Sequence, residues 1–211
     1  MTPRRSLLNR EDIFKVALSL LDESDINAVS MRNIAQRLNV QAMSLYNHIE
    51  NKEDLLNGIV ELVLNEVQIP LPSGDWKADL RNAASSFYNV LLQHPNVLPI
   101  ISTHSPITEK GINQVEKILF IFKKIDITGV EAFSLLHIIV AYIIGYAGMS
   151  LMNEQGTGRI NDDGYTQEDL RKFTEILGGS FDLDKRNLKE EFMYGFNLFL
   201  DGVEKNLQKG R

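Results

Sequence analysis

The chain has 211 residues, of which 44% are apolar and 24% charged, with no cysteine and a formal net charge of −6. This is the balance of a folded, water-soluble protein with room for one large domain, or for a small domain joined to a larger one. Disulfides, thiolate metal sites and cysteine nucleophiles are excluded together, and the acidic balance argues against a packaging protein that holds DNA by bulk charge. The opening MTPRRSLLNRED meets charge again at Arg10 and offers no apolar core for a signal peptide, so the cytoplasm is the expected compartment.

In chain order, Ile13, Val16, Ala17, Leu20 and Leu21 fall at helical spacing and predict an amphipathic helix over 10–22. A second helix follows Ser30, a good N-cap, with Val29 and Ile34 placed as a hydrophobic staple. Asn39 can close it, because asparagine tolerates the left-handed turn conformation. Val40 then points inward, and QAMSLYNHI predicts a second short helix anchored by Leu45 and Ile49. Two short helices joined by a tight turn are a helix-turn-helix. The stretch from Asn51 to Val67 predicts a connecting helix over 52–67, ended by Pro70 and Pro72. The expected boundary is therefore a head of residues 1–55 followed by a body of residues 68–211.

In the body, helices are predicted over 76–93, 108–125, 129–153, 166–179 and 187–209, with 94–107 irregular and 154–165 a polar loop. No alternating strand pattern is present, so the fold class is all-α. Residues 132–153 carry no charge for 22 positions, which is membrane-spanning length. The flanks Glu131 and Glu154 show no Lys/Arg asymmetry, and the interior holds His137, two tyrosines and two serines. This helix is expected to be buried by the protein or by a partner subunit rather than by a membrane.

Between Asp25 and Glu50 there is no carboxylate, while Arg32, Arg37 and His48 fall inside the gap. Carboxylates facing DNA would repel its phosphates, so a cleared window suits a DNA-reading surface. Gln41, Ala42 and Ser44 give a recognition helix the short side chains it needs at its start. Tyr46 and His48 can bond phosphate, and Lys52 opens the next helix, where backbone N–H groups also favour an anion. A solvated face that lacks acids by chance gives the same pattern. Residues 1–55 hold 7 Lys+Arg against 8 Asp+Glu, so bulk charge does not decide between the two readings.

The run SMRNIAQRLNVQAMSLYNHIENKEDLL resembles the signature of the tetracycline-repressor (TetR) family of bacterial regulators. Its shared features are Ile-Ala…Leu in the second helix, a valine in the turn, Leu-Tyr-x-His in the recognition helix, and Asn-Lys with Leu-Leu opening the fourth. DWKADLRNAASSF, SPITEKGINQVEKILFIF and FMYGFNLFLDGVEKNL resemble, more loosely, the core of the tetracycline repressors proper. The resemblance implies base or phosphate contacts by Arg32, Gln41, Ala42, Ser44, Tyr46, His48 and Lys52. Asn39 stands where a glycine is common in that turn. The implied function is a sequence-specific repressor released from a palindromic operator by a small effector that shifts the 52–67 helix.

The implied body is both a dimer interface and an effector site. The uncharged helix near 129–153 and a last helix near 186–208, with Phe192, Phe196, Phe199 and Val203 on one side, would form a four-helix interface between two copies. That would set two heads about 34–36 Å apart, one turn of DNA. Effector candidates are Phe87, Thr103, His104, Val115, Ile118, Phe122, Phe133, His137 and Tyr142, each equally readable as ordinary core. Phe87, Pro106, Val115 and Ile118 match pocket-lining positions of the tetracycline repressors. Their polar drug and metal contacts are replaced by Ala83, Ile118 and Ile100 or Ile101, so a magnesium–tetracycline complex would lack its ligands. The expectation is an apolar or amphipathic effector, or none, with no metal and no cofactor. An enzyme is the rival class. No H-E-x-x-H, P-loop or G-x-S-x-G occurs, the four histidines are scattered, and QGTGR sits in a polar loop rather than opening a helix after a strand.

Overall fold

The computed structural model describes residues 8–103, 109–154, 166–176, 178 and 187–209. Their secondary structure is helical throughout, in the order α1 (Arg10–Glu23), α2 (Met31–Leu38), α3 (Ala42–Leu45), α4 (Lys52–Glu66), α5 (Trp76–Gln93), α6 (Leu98–Ile101), α7 (Glu109–Lys123), α8 (Gly129–Glu154), α9 (Gln167–Ile176) and α10 (Leu188–Lys209). The loop QGTGR, His104 and Pro106 lie outside the described residues.

Local chemistry sets the ends of the first four helices. Asn9, Ser30 and Asn51 each cap a helix by accepting from the backbone N–H three residues on, at 2.8, 3.2 and 2.9 Å. Asn39 closes α2 at φ 53° and ψ 47°, in the left-handed conformation expected of it. Val40 N–H then bonds Ala35 O at 3.0 Å and turns the chain into α3. α3 is shorter than the sequence suggests, with four helical residues before a turn over 46–48. Its apolar anchors are nonetheless placed as expected: Leu45 is fully buried and Ile49 nearly so, in one core cluster with Ile34, Ala35, Ile13 and Ala17.

The long α4 packs on α1 at its start and on α5, α6 and α7 toward its end, so one rod runs from the head into the body. At the crossing with α1, Gly58 lets the backbone meet the Phe14 ring, into which any Cβ would project. In the body α5 is the hub, touching α4, α7, α8 and α10. Tyr88 stacks on Phe192 of α10 with centroids 4.5 Å apart, and its hydroxyl lies 2.6 Å from Ser150 Oγ. Because Ser150 donates its single proton to Tyr146 O, Tyr88 is the donor in that buried pair. Lys77 ties α5 to α10 through Asp201 and Glu204 at 2.9 and 2.7 Å.

Two body expectations change. The stretch 94–107 is not wholly irregular: Pro95–Val97 forms a 3₁₀ turn that runs into α6, and Pro95 and Pro99 each sit in a first turn that needs no N–H donor there. Phe192 and Phe196 do not form an outward face of α10. They are buried inside the chain's own core, and the exposed apolar side chains of α10 are Tyr194 and Leu198. On α8, Gly129–Met152 is long and apolar enough to cross a membrane, and only 28% of its most apolar window is buried within the chain. Its exposed side includes Phe133, Ile138, Met149 and Met152.

Candidate nucleic-acid interface and effector cavity

The carboxylate-free window folds into α2, the turn and α3. Arg32 and Gln41 are exposed there, Tyr46 is 54% exposed, and Lys52 is exposed at the start of α4. Gln41 caps α3 through its backbone only, so its amide is not used in capping. Ala42, Ser44 and His48 are half-buried. Sequence reading missed Met43, which is 73% exposed on α3. Its signal was phase: Ala42, Leu45 and Ile49 form the inward side, and Met43 is an apolar residue out of step with them. Such a side chain is suited to a thymine methyl. Arg37, although inside the window, is spent internally. It forms a two-pronged pair with Glu23 of α1 at 2.8 and 2.7 Å, which holds the Glu23 carboxyl down at about 2.

A polar clamp fixes this surface to α4. Arg10 donates to His48 O at 2.6 Å and to Asp54 Oδ1 at 2.5 Å, while lying over the Phe14 ring. Asp54 Oδ2 accepts from Glu50 N–H at 3.0 Å, and the Asp54 N–H bonds the cap Asn51 at 2.9 Å. The end of α3 and the start of α4 are therefore joined through one arginine and one aspartate.

The other end of α4 borders a cavity of about 140 Å³. Leu64, Val67 and Ile69 line it from the end of α4, Phe87 from α5 and Ile101 from α6. Gly111, Gln114, Val115 and Ile118 line it from α7, and Leu136, Val140 and Ile144 from α8. A second lobe of about 60 Å³ shares Phe87, Ile118 and Val140 and reaches Ala83. Among these residues Gln114 is the one polar side chain. Its Nε2 donates to Leu64 O and Val67 O at 3.1 and 3.3 Å, and its Oε1 accepts from Lys117 Nζ at 3.1 Å. Ala83, Ile101 and Ile118 face this cavity with hydrocarbon.

Three of the sequence candidates, Phe87, Val115 and Ile118, meet at this cavity. His104 and Pro106 are outside the described residues, and the remaining candidates are placed elsewhere. Phe122 is buried in the general core. Phe133 and His137 lie on the exposed side of α8, packed edge to face, with His137 Nδ1 2.9 Å from Phe133 O. Tyr142 turns toward α10, donates to Phe192 O at 2.7 Å, and is held protonated well above the ordinary tyrosine range, first by burial. Thr103 is exposed and bonds back to Pro99 O and Ile100 O. The sequence reading favoured aromatics and histidines, whereas the cavity is walled mostly by branched aliphatics, whose types are the same as those of any core.

Between head and cavity runs a short polar link. Asn96 donates to Leu21 O and Ser24 O at the end of α1, both at 2.9 Å. His94 lies 2.9 Å from Asp22 of α1 and 3.2 Å from Glu66 of α4. This segment leads directly into α6, whose Ile101 faces the cavity.

Comparison with known proteins fits this layout. Over 94% of its length the chain is 27% identical to an HTH-type transcriptional regulator of Saccharopolyspora erythraea, covering 86% of that protein. It is 26% identical to the tetracycline repressor protein class E of Escherichia coli, over 96% of this chain and 93% of that one. In fold it is similar to the TetR family protein ActR of Streptomyces coelicolor, solved in complex with actinorhodin, with TM-score 0.77 and 21% identity over 96% and 99% of the two chains. Residues 13–59 match the model of bacterial regulatory proteins of the tetR family, and residues 70–207 match the tetracyclin repressor-like C-terminal domain. The chain belongs to the TetR family of DNA-binding transcriptional regulators.

Proposed function

We propose that the protein is a cytoplasmic homodimeric repressor that holds a palindromic operator through two heads and leaves it when a small apolar or amphipathic effector fills the cavity. The observation that carries this reading is the position of α4. Its first turn is clamped to the recognition helix by Arg10 and Asp54, and its last turn forms part of the cavity wall. A ligand that repositions the last turn must therefore move the head or break the clamp. The division into a head through residue 55, a connecting helix over 52–67 and a body from 68 is part of this reading. So are base or phosphate contacts by Arg32, Gln41, Ala42, Ser44, Tyr46, His48 and Lys52, to which Met43 is added.

The exposed apolar rows support the dimer. Ile138, Met149 and Met152 on α8 and Tyr194 and Leu198 on α10 are 46–69% exposed in the single chain, and Gly145 opens outward between them. A second copy related by a two-fold axis would cover both rows without a membrane. An ActR structure of the same fold holds actinorhodin, which supports a small-molecule ligand for the body.

The experiment is selection of bound sequences from random DNA duplexes at physiological salt, with the wild type beside a Tyr46→Ala, Lys52→Ala variant. Enrichment of an inverted repeat by the wild type alone is the expected result. If neither protein enriches any sequence, the operator reading fails.

A further inference from the structure

Resting on that reading, we infer that Gln114 is the contact through which an effector acts on α4, and that the effector is a compact apolar molecule carrying one hydrogen-bond acceptor oxygen. Four observations converge on this side chain. It is the one polar side chain among the described residues lining the cavity. Its amide nitrogen donates to Leu64 O and Val67 O, carbonyls at the end of α4, where the helix's own i to i+4 bonding stops. Leu64 and Val67 themselves line the cavity, so the ligand and the capped turn share a wall. The carbonyl end of the Gln114 amide faces Lys117 Nζ, which fixes the amide with its N–H groups toward α4.

The ligand class follows from this arrangement. A hydrocarbon would fill the cavity and leave the cap in place, so it would bind without shifting α4. Among the described lining residues a cation would find aliphatic side chains and one phenylalanine but no carboxylate, an amide oxygen already bonded to Lys117, and the ammonium of Lys117 nearby. An acceptor oxygen entering beside Gln114 competes for the same two hydrogens, whose present bonds of 3.1 and 3.3 Å are at the long end of their range. Once one is taken, Leu64 O or Val67 O loses its partner. Leu64 O also accepts from Val67 N–H at 3.2 Å, so release is concentrated at Val67 and the link that follows it. Gln114 is thus a positioning residue for the α4 end and a binding residue for the effector, and each amide hydrogen serves one or the other.

Three probes of one shape separate these cases: 1-tetralone, a bicyclic ketone; tetralin, the same bicycle without oxygen; and 1-aminotetralin, its cation. Binding is measured by calorimetry, and backbone hydrogen exchange is followed over residues 62–68 in the full chain without DNA. The wild type is expected to bind tetralone roughly tenfold more tightly than tetralin and to reject the amine. Tetralone alone is expected to speed exchange over 62–68, while exchange over 52–60 stays unchanged. In Gln114→Leu the two neutral probes should bind alike, and exchange over 62–68 should already be fast without ligand. Gln114→Asn, too short to reach both carbonyls, should behave in the same way, which guards against a folding defect peculiar to leucine. The inference is overturned if the wild type binds none of the probes, or does not prefer the ketone. It is equally overturned if either variant keeps the preference, or if tetralone leaves exchange over 62–68 unchanged. None of these readouts involves DNA, so a failed operator selection would sink the repressor reading and leave this test standing. Given an operator, tetralone should weaken its binding about tenfold in the wild type and not in Gln114→Leu.

Discussion

The two ends of α4 are held by different chemistry. At its start, charged and capping groups lock the helix to α3: Arg10 bridges His48 O and Asp54, while Asp54 and Asn51 close the turn. At its end a neutral amide holds two carbonyls beside an apolar cavity, and Glu66 lies 3.2 Å from His94. A well-filled helix crossing resists displacement in a way that a cavity wall does not. A helix closely packed at one end and bordering a cavity at the other can move at the cavity end and carry its head along. The contrast is what a ligand-controlled lever requires.

The largest effect that would break this contrast lies under the recognition helix. Leu45 has no exposed surface, and Leu45→Ala is expected to destabilise the fold by about 2–5 kcal/mol, read from urea or guanidinium unfolding. A loss below about 1 kcal/mol would show that the head is loosely packed. Next, added volume should be resisted at one end and accepted at the other. Gly58→Ala drives a Cβ into the Phe14 ring and should cost about 1–3 kcal/mol. Val140→Phe extends into the cavity, and should leave stability within about 1 kcal/mol while abolishing probe binding. Equal penalties for the two substitutions would remove the distinction between the ends.

Asn39→Val tests the turn itself. A branched residue at φ 53° should lose about 1–2 kcal/mol, whereas Asn39→Gly should be neutral or slightly stabilising. Arg10→Ala sharpens the clamp: operator affinity should fall several-fold, yet stability should change by less than about 1 kcal/mol, because the Arg10 side chain is 49% exposed. If operator affinity is unchanged, α3 is positioned by its apolar anchors alone. The smallest effect is electrostatic. The Glu23 carboxyl is held at about 2, first by Arg37 and then by Ser19, below its ordinary value of 4.5. A depressed acid adds stability that is fully present above the ordinary value and is lost as pH falls from about 4.5 through 2. Glu23→Gln should flatten that part of the pH–stability curve and leave neutral pH almost unaffected, as befits an exposed pair.

The sequence by itself determined the local features. Capping, turn chemistry and phase are properties of a few neighbouring residues, so Ser30, Asn39, Asn51, Leu45 and Ile49 are placed by the sequence alone. The carboxylate-free window that carries the exposed Arg32, Gln41 and Tyr46 was legible for the same reason, whereas the exposed Met43 was not singled out. The carboxylate-free window could be counted, but only the tertiary structure decided that Arg37 is committed to Glu23, a partner fourteen positions away on another helix. The cavity depended still more on tertiary contacts. Its wall joins residues from Leu64 to Ile144 on five helices, and aliphatic side chains read alike whether they face a void or a packed neighbour. The outward side of α10 was misjudged on the same ground, since aromatics at helical spacing define a face but not what covers it. Gln114 carries no local signal at all. Its significance lies in two carbonyls about fifty residues earlier in the chain, and only folding brings them within hydrogen-bonding distance.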